Sequence, residues 1–125
     1  MKGHELLCQG HYDESTEIFL EALAKDPEQA ERSLFLIGVS MLENGHYNMG
    51  YYILKLLKGN PKIESTLLYP YLCLCEWVLC EKQFKETLTE ALVQCPQRTY
   101  EIFTLEPAQG ESAESMIQRL RTINN

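Results

Sequence analysis

The segments GHYDESTEIFLEALAKDP (residues 10–27) and GHYNMGYYILKLLKGNP (residues 45–61) begin with the same three residues and end at a proline one helix later. In both, a glycine precedes an aromatic residue, and apolar residues then recur at helical spacing. A glycine here supplies the positive φ that ends one helix, and the proline ends the next. The two segments therefore predict the same turn between two helices, occurring twice.

Similar punctuation divides the rest of the chain, and no stretch indicates a convincing strand. We expect helices over residues 2–8, 13–25, 28–43, 48–58, 70–81 and 84–94, with a final helix after Ser112. Asp13 is the expected N-cap of the second helix, and Pro70 suits the first turn of the fifth. Residues 106–112 read as a loop. The sequence thus predicts an all-α fold.

A third copy of the pattern is centred on Phe84. Tyr12, Tyr47 and Phe84 are 35 and 37 residues apart, close to the 34-residue period of a helix–turn–helix repeat. In the third copy Lys82 stands where the helix-ending glycine is expected. Small residues should lie where paired helices cross, and bulky residues should close the next interface. The expected packing residues are Tyr12, Phe19, Gly38, Tyr47, Gly50 and Phe84.

This alignment predicts a single domain of three helical hairpins. The repeats are expected over about residues 1–27, 28–61 and 66–96, with a C-terminal cap over residues 97–125. Met116, Ile117 and Leu120 share one face of the last helix and suit a capping role. The alternative interpretation is an unrelated helical bundle whose periodicity is fortuitous.

The net charge of the chain limits the classes of partner that it is expected to bind. Eighteen acidic residues against 11 basic ones give a net charge of −7, which disfavours nucleic acid and anionic lipid. The longest uncharged apolar stretch, residues 67–75, is too short for a bilayer that takes about 20 residues as a helix. No targeting segment is visible. We therefore expect a cytoplasmic protein that neither binds nucleic acid nor inserts into membranes.

The residues that could carry chemistry are sparse. The five cysteines include no CxxC pair, and we interpret them as free, mostly buried thiols. A metal or thiol sensor using Cys73, Cys75 and Cys80 is the alternative. His4 and Cys8, four residues apart, form a possible ligand pair without further ligands at suitable spacing. No nucleophile elbow or phosphate loop is present. We expect no catalytic residue, metal or cofactor, and no enzymatic activity.

The positions Leu34, Ile37, Gly38, Met41 and Tyr47 resemble the tetratricopeptide repeat family. That resemblance implies that the first helix of each hairpin lines a concave groove. The residues expected to line it are Leu7, Phe35, Val39, Leu42, Tyr69, Leu72, Glu76 and Leu79. Because this set is mostly apolar, the expected ligand is an amphipathic helix with anchors at i, i+3, i+4 and i+7.

A narrower resemblance concerns LLYPYLCLCEWVLCEKQ (residues 67–83), where Tyr69-Pro70 leads into Leu-Cys-Glu-Trp. It resembles the larger, tetratricopeptide-like subunit of the heterodimeric chaperones for type III secretion needle proteins. The resemblance implies that the groove holds the needle subunit's amphipathic helix and keeps the subunit unpolymerised in the cytoplasm. It also implies a small helical co-chaperone over the N-terminal repeat. A short first helix, if Met1 is the true start, predicts the same cover. A general tetratricopeptide adaptor, or a secretion chaperone for another client, is the alternative.

Overall fold

The secondary structure is entirely helical. The computed structural model describes residues 2–58 and 65–123, and their side chains except those of residues 12 and 65–67. Within these residues there are eight helices and no strand, which confirms the all-α prediction. The helices are α1 (Lys2–Cys8), α2 (Tyr12–Lys25), α3 (Pro27–Glu43), α4 (Tyr47–Leu57), α5 (Ser65–Val78), α6 (Phe84–Gln94), α7 (Pro96–Ile102) and α8 (Ala113–Ile123).

The chain forms two compact units, which we call unit 1 (Met1–Ile63) and unit 2 (Glu64–Asn125). In unit 1, α1 packs on α2, α2 on α3, and α3 on α4. In unit 2, α5 packs on α6, α7 packs on both, and α8 packs on α6. The predicted end of the second repeat at Pro61, and the packing predicted for the Tyr12 side chain, lie outside the described residues.

A residue with positive φ lies two positions after the last residue of each of the helices α1, α3 and α5. These residues are Gly10 (85°), Gly45 (81°) and Cys80 (57°), and they are spaced 35 residues apart. After each of them, the next backbone N–H donates to the carbonyl five residues earlier, over 2.8–2.9 Å. This bond satisfies a carbonyl at the helix end. The third turn is therefore at Cys80, which corrects the assignment of that place to Lys82.

The helix α5 departs most from the expected boundaries. It begins at Ser65 rather than at Pro70, and it ends at Val78. Pro70 therefore lies inside the helix, where it supplies no N–H to the backbone ladder. The turn from Cys80 to Phe84 is two residues longer than the turn from Gly45 to Tyr47. An alignment on the aromatic residues therefore shifts α5 by two positions.

The helices α2 and α6 end in another way, immediately before a proline. Asp26 (φ −143°, ψ 82°) and Cys95 (φ −151°, ψ 63°) lie outside the helical region, and each precedes a proline in the first turn of the next helix. A residue before proline avoids the helical region, which explains both ends. The Asp26 carboxylate also accepts the Gln29 N–H at 3.4 Å. Asp13, predicted as a cap, instead lies within the first turn of α2.

The helix α7 was not predicted. It begins at Pro96, two residues after the last residue of α6, and ends at Ile102. Thr104, two residues later, has φ 52°. The Leu105 N–H donates to the Tyr100 carbonyl over 3.0 Å, as at the three earlier turns. Residues 103–112 have no regular structure, as expected for the loop before α8. The Ser112 hydroxyl accepts the Ser115 N–H at 3.2 Å and so caps α8 as predicted.

In unit 1, paired helices approach each other closely at glycine residues. A β-carbon on Gly38 would lie 2.8 Å from Leu54 Cδ2, and one on Gly3 would lie 2.7 Å from Phe19 Cε1. Both contacts pair a glycine of a first helix with a fully buried side chain of a second helix. A β-carbon on Gly50 would lie 3.0 Å from the Gly38 carbonyl oxygen. The hairpins α1–α2 and α3–α4 thus share one packing geometry.

Unit 2 has its own apolar core, to which α5, α6, α7 and α8 and the loop between α7 and α8 contribute. The Phe84 ring packs against two other aromatic rings there. Its centroid lies 5.2 Å from that of Trp77 and 6.1 Å from that of Phe103. Met116 and Leu120 of α8 are buried in this core, and Ile117 packs against it. The core residues are Cys73, Phe84, Leu88, Ala91, Cys95, Tyr100, Phe103, Leu105, Ala113, Met116 and Leu120.

Candidate protein-binding site

The residues predicted to line a groove fall into two classes. Those that are partly exposed are Phe35, Val39, Tyr69 and Leu79. Those that are buried, with at most 6% of their surface exposed, are Leu7, Leu42, Leu72 and Glu76. The expectation that the buried four face an open groove is therefore corrected, and each has a physical reason for its burial.

Leu42 is buried because it packs between the two helices of its own hairpin. A β-carbon on Gly50 would lie 2.7 Å from Leu42 Cδ2, so the leucine fills the space that this glycine leaves. Leu7 holds the same position in α1, three residues before the left-handed glycine, and it is fully buried. This position serves packing within the hairpin.

Leu72 and Glu76 were assigned to the groove because the alignment on aromatic residues displaced α5 by two positions. Counted from the left-handed Cys80, the counterpart of Val39 is Leu74 rather than Glu76. Leu74 packs partly buried against the core of unit 2. Leu72 and Glu76 therefore lie on a different face of α5 from the face to which the alignment assigned them.

One face of α3 in unit 1 is apolar and at least partly exposed. Leu36 is 62% exposed, and Phe35 and Val39 are partly exposed. Arg32 lies four residues before Leu36, and Glu43 lies four after Val39, so all five share one side of the helix. We call these five residues the α3 surface. Sequence reasoning missed Leu36, although an apolar residue flanked by Phe35 and Val39 at helical spacing was the available signal.

Glu31 lies one turn before Phe35 on α3. It is only 5% exposed, and its Oε1 atom has no hydrogen-bond partner within residues 2–58 and 65–123. Buried carboxylates are ordinarily hydrogen-bonded or paired, because burial removes the water that stabilises their charge. Sequence reasoning missed Glu31, since a glutamate near a helix N-terminus reads as solvated.

The cysteines in α5 are poorly placed for metal or redox chemistry. Cys73 and Cys75 are fully buried, whereas Cys80 is exposed. Burial, and then the charge of Glu76, raises the pKa of the Cys75 thiol to about 12. A thiol of that pKa is protonated at neutral pH, so it is a poor nucleophile.

His4 and Cys8 of α1 form a second candidate ligand pair. The Cys8 Sγ and His4 Nε2 atoms lie 3.8 Å apart. However, no group of three or more His, Cys, Asp or Glu residues within residues 2–58 and 65–123 is placed to hold a metal ion. In that same part of the chain, no helix combines the length and apolarity needed to cross a bilayer.

Unit 2 contains a cleft of about 570 Å³ between the end of α6, α7 and the 107–111 segment. Glu111 borders it, and the partners of its carboxylate are within the protein. The Tyr100 hydroxyl donates to Glu111 Oε1 at 2.8 Å, Ser115 Oγ donates to Oε2 at 2.9 Å, and Arg119 donates to Oε1 at 2.7 Å. Burial alone raises the pKa of Glu111, but these hydrogen bonds outweigh it and hold the pKa below its usual value. The cluster fastens the loop before α8.

Comparisons with known proteins give no assignment. No family model matches the chain, and neither the curated proteins nor the solved structures provide a match.

Proposed function

We propose that the three hairpins are tetratricopeptide-like repeats and that the protein is a cytoplasmic chaperone for an amphipathic helix of another protein. The α3 surface carries this proposal, because it exposes apolar side chains on the first helix of a hairpin. The equal spacing of Gly10, Gly45 and Cys80 supports the repeat interpretation. The proposed client, from the resemblance of residues 67–83, is the needle subunit of a type III secretion system.

The α3 surface offers suitable anchors for a helix. Burying a large apolar side chain contributes roughly 1.5–3 kcal/mol, so Phe35, Leu36 and Val39 together contribute at most about 5–9 kcal/mol before ordering costs. The contribution of Phe35 and Val39 is smaller than that of a fully exposed residue, because both are already partly buried. A helix that presents apolar residues at i, i+3, i+4 and i+7 matches such a stripe. Part of this energy offsets the ordering costs, and the remainder favours reversible binding of a partner helix.

Sequestration by this surface requires no chemistry. Needle subunits polymerise by packing amphipathic helices against each other, so a surface that buries the same helical face competes directly with assembly. No nucleotide is needed for capture in this scheme. A small helical co-chaperone over the first hairpin is the second proposed partner, by the same resemblance.

The binding surface is tested by one matched pair of variants. Leu36→Asp places a charge in the α3 surface and should weaken client binding at least tenfold. Leu20→Asp introduces the same change at a leucine of α2 that is 52% exposed, and it should leave binding unchanged. Circular dichroism should show both variants folded. Equal binding by Leu36→Asp and wild type would refute the α3 surface.

The client is identified by affinity purification of the tagged protein followed by mass spectrometry. Recovery of a needle subunit, kept monomeric by this protein in a sedimentation assay, supports the chaperone proposal. Recovery of a different client through the α3 surface supports the general adaptor. If no protein is lost on Leu36→Asp substitution, both proposals fail.

A further inference from the structure

We propose that Glu31 receives a basic side chain, lysine or arginine, from the helix that binds the α3 surface. This inference rests on the proposed function, because it takes the α3 surface as the docking face. It commits the occupant to one chemistry: an amphipathic helix with a cationic residue about one turn beyond its apolar stripe, near the N-terminal end of α3.

The carboxylate of Glu31 is buried, and one of its oxygens is unpaired within the part of the chain that the structure describes. The side chain is almost completely withdrawn from water, and its Oε1 atom has no hydrogen-bond partner among the described residues. A carboxylate in that state destabilises the folded protein. An ammonium or guanidinium group that pairs with the carboxylate, once docking turns Oε1 toward the α3 surface, removes this penalty, so it binds more favourably than a neutral side chain at the same place.

The position of Glu31 on α3 and the net charge of the protein also favour a cationic residue on the partner helix. Glu31 precedes Phe35 by four residues and Val39 by eight, so its position on α3 is in line with these two residues. A lysine or arginine can lay its aliphatic stem along apolar side chains while its charged end reaches Glu31. The net charge of −7 also favours approach of a basic helix over an acidic one.

The first arm of the test measures the free protein. Glu31→Met replaces the carboxylate with an apolar side chain of similar length. It should raise the folding equilibrium constant about tenfold, because an unsatisfied buried group is removed. The exposed Glu28 on the same helix is the control, and Glu28→Met should change little. No gain, or a loss, on Glu31→Met would show that the carboxylate is already satisfied, and would overturn the inference.

The second arm measures recognition with a displayed library of helical peptides of about 18 residues. Leucines are fixed at i, i+3, i+4 and i+7, and the positions one turn beyond the stripe are randomised. Selection on wild type should enrich lysine or arginine there at least tenfold, and selection on Glu31→Met should not. Binding without a basic preference overturns the role of Glu31 and leaves the proposed function standing. Failure to select any helix overturns both.

Discussion

Cys80 and Thr104 adopt a backbone conformation that glycine adopts with less strain. Their φ values of 57° and 52° lie in the left-handed region, where a β-carbon costs roughly 1 kcal/mol. Both residues end a helix with the hydrogen bonds that Gly10 and Gly45 also make. The backbone bonds therefore hold two side-chain-bearing residues in a position that suits glycine.

Replacement of Cys80 by glycine should stabilise unit 2. The expected gain in unfolding free energy is about 1 kcal/mol, because glycine relieves the left-handed strain. Cys80→Ala removes the thiol but keeps the β-carbon, so it should give no comparable gain. The single tryptophan, Trp77, reports unfolding of this unit by fluorescence in urea. An equal gain in both variants would assign the effect to the thiol.

Replacement of Gly50 by alanine should destabilise unit 1. The new β-carbon would meet the Gly38 carbonyl oxygen at 3.0 Å and Leu42 Cδ2 at 2.7 Å. Because one neighbour is backbone, the helices α3 and α4 must move apart, at about 1–3 kcal/mol. Gly38→Ala should cost less, since its nearest neighbours are the flexible end of Leu54. Urea unfolding followed by far-UV circular dichroism measures both, and the reverse order would contradict this account.

At the scale of elements, the sequence predicted the helices whose ends carry strong local signals. The boundaries of α1 and α6 match the prediction, and those of α2, α3 and α4 differ by one residue. The end of α5 was missed because a cysteine at position 80, unlike a glycine, does not indicate a residue with positive φ. The helix α7 was missed because Pro96 was interpreted only as a stop, although it also begins the next helix.

Glu111 stabilises the loop between α7 and α8. Its side chain is 4% exposed and pairs with Arg119, so Glu111→Gln should lower the unfolding free energy by about 2 kcal/mol at neutral pH. The folded pKa of Glu111 is below its ordinary value of 4.5. Its contribution is therefore present above pH 4.5 and is lost as pH falls through the folded pKa.

The measurement compares Trp77 unfolding curves of wild type and Glu111→Gln at several pH values. The difference between the two should shrink as pH falls below 4.5. Glu114→Gln is the control, because Glu114 is exposed and pairs with Lys85 at the surface, where ion pairs contribute little. A difference that is constant with pH would show that the charge of Glu111 does not stabilise the loop.

At the scale of the whole molecule, the repeat pattern located part of the candidate site. Phe35 and Val39 followed from the tetratricopeptide resemblance, and both are partly exposed. The burial of Glu31 and Leu72 did not follow, because burial depends on tertiary packing and on a register that a two-residue insertion shifts. A single sequence gives no sign of that insertion before the left-handed residue is known.

Unit 2 should fold without unit 1. Its core cluster contains only residues between Cys73 and Leu120, so a peptide of residues 64–125 retains every contact in that cluster. We expect a helical circular dichroism spectrum and a cooperative but low-temperature melt, as is usual at roughly 60 residues. Met116→Asp in the same peptide should abolish the transition. A disordered spectrum for the unsubstituted peptide would contradict the independence of this core.

The equal spacing of the left-handed residues has a consequence for how this chain can change in length. Both Gly10 and Gly45 are followed by His-Tyr, so a tandem duplication of residues 11–45 joins Gly45 to His11 and recreates the same tripeptide. The added hairpin inherits intact helix ends at both joints. The chain can therefore lengthen by unequal crossing-over while keeping the same turn sequence at each joint.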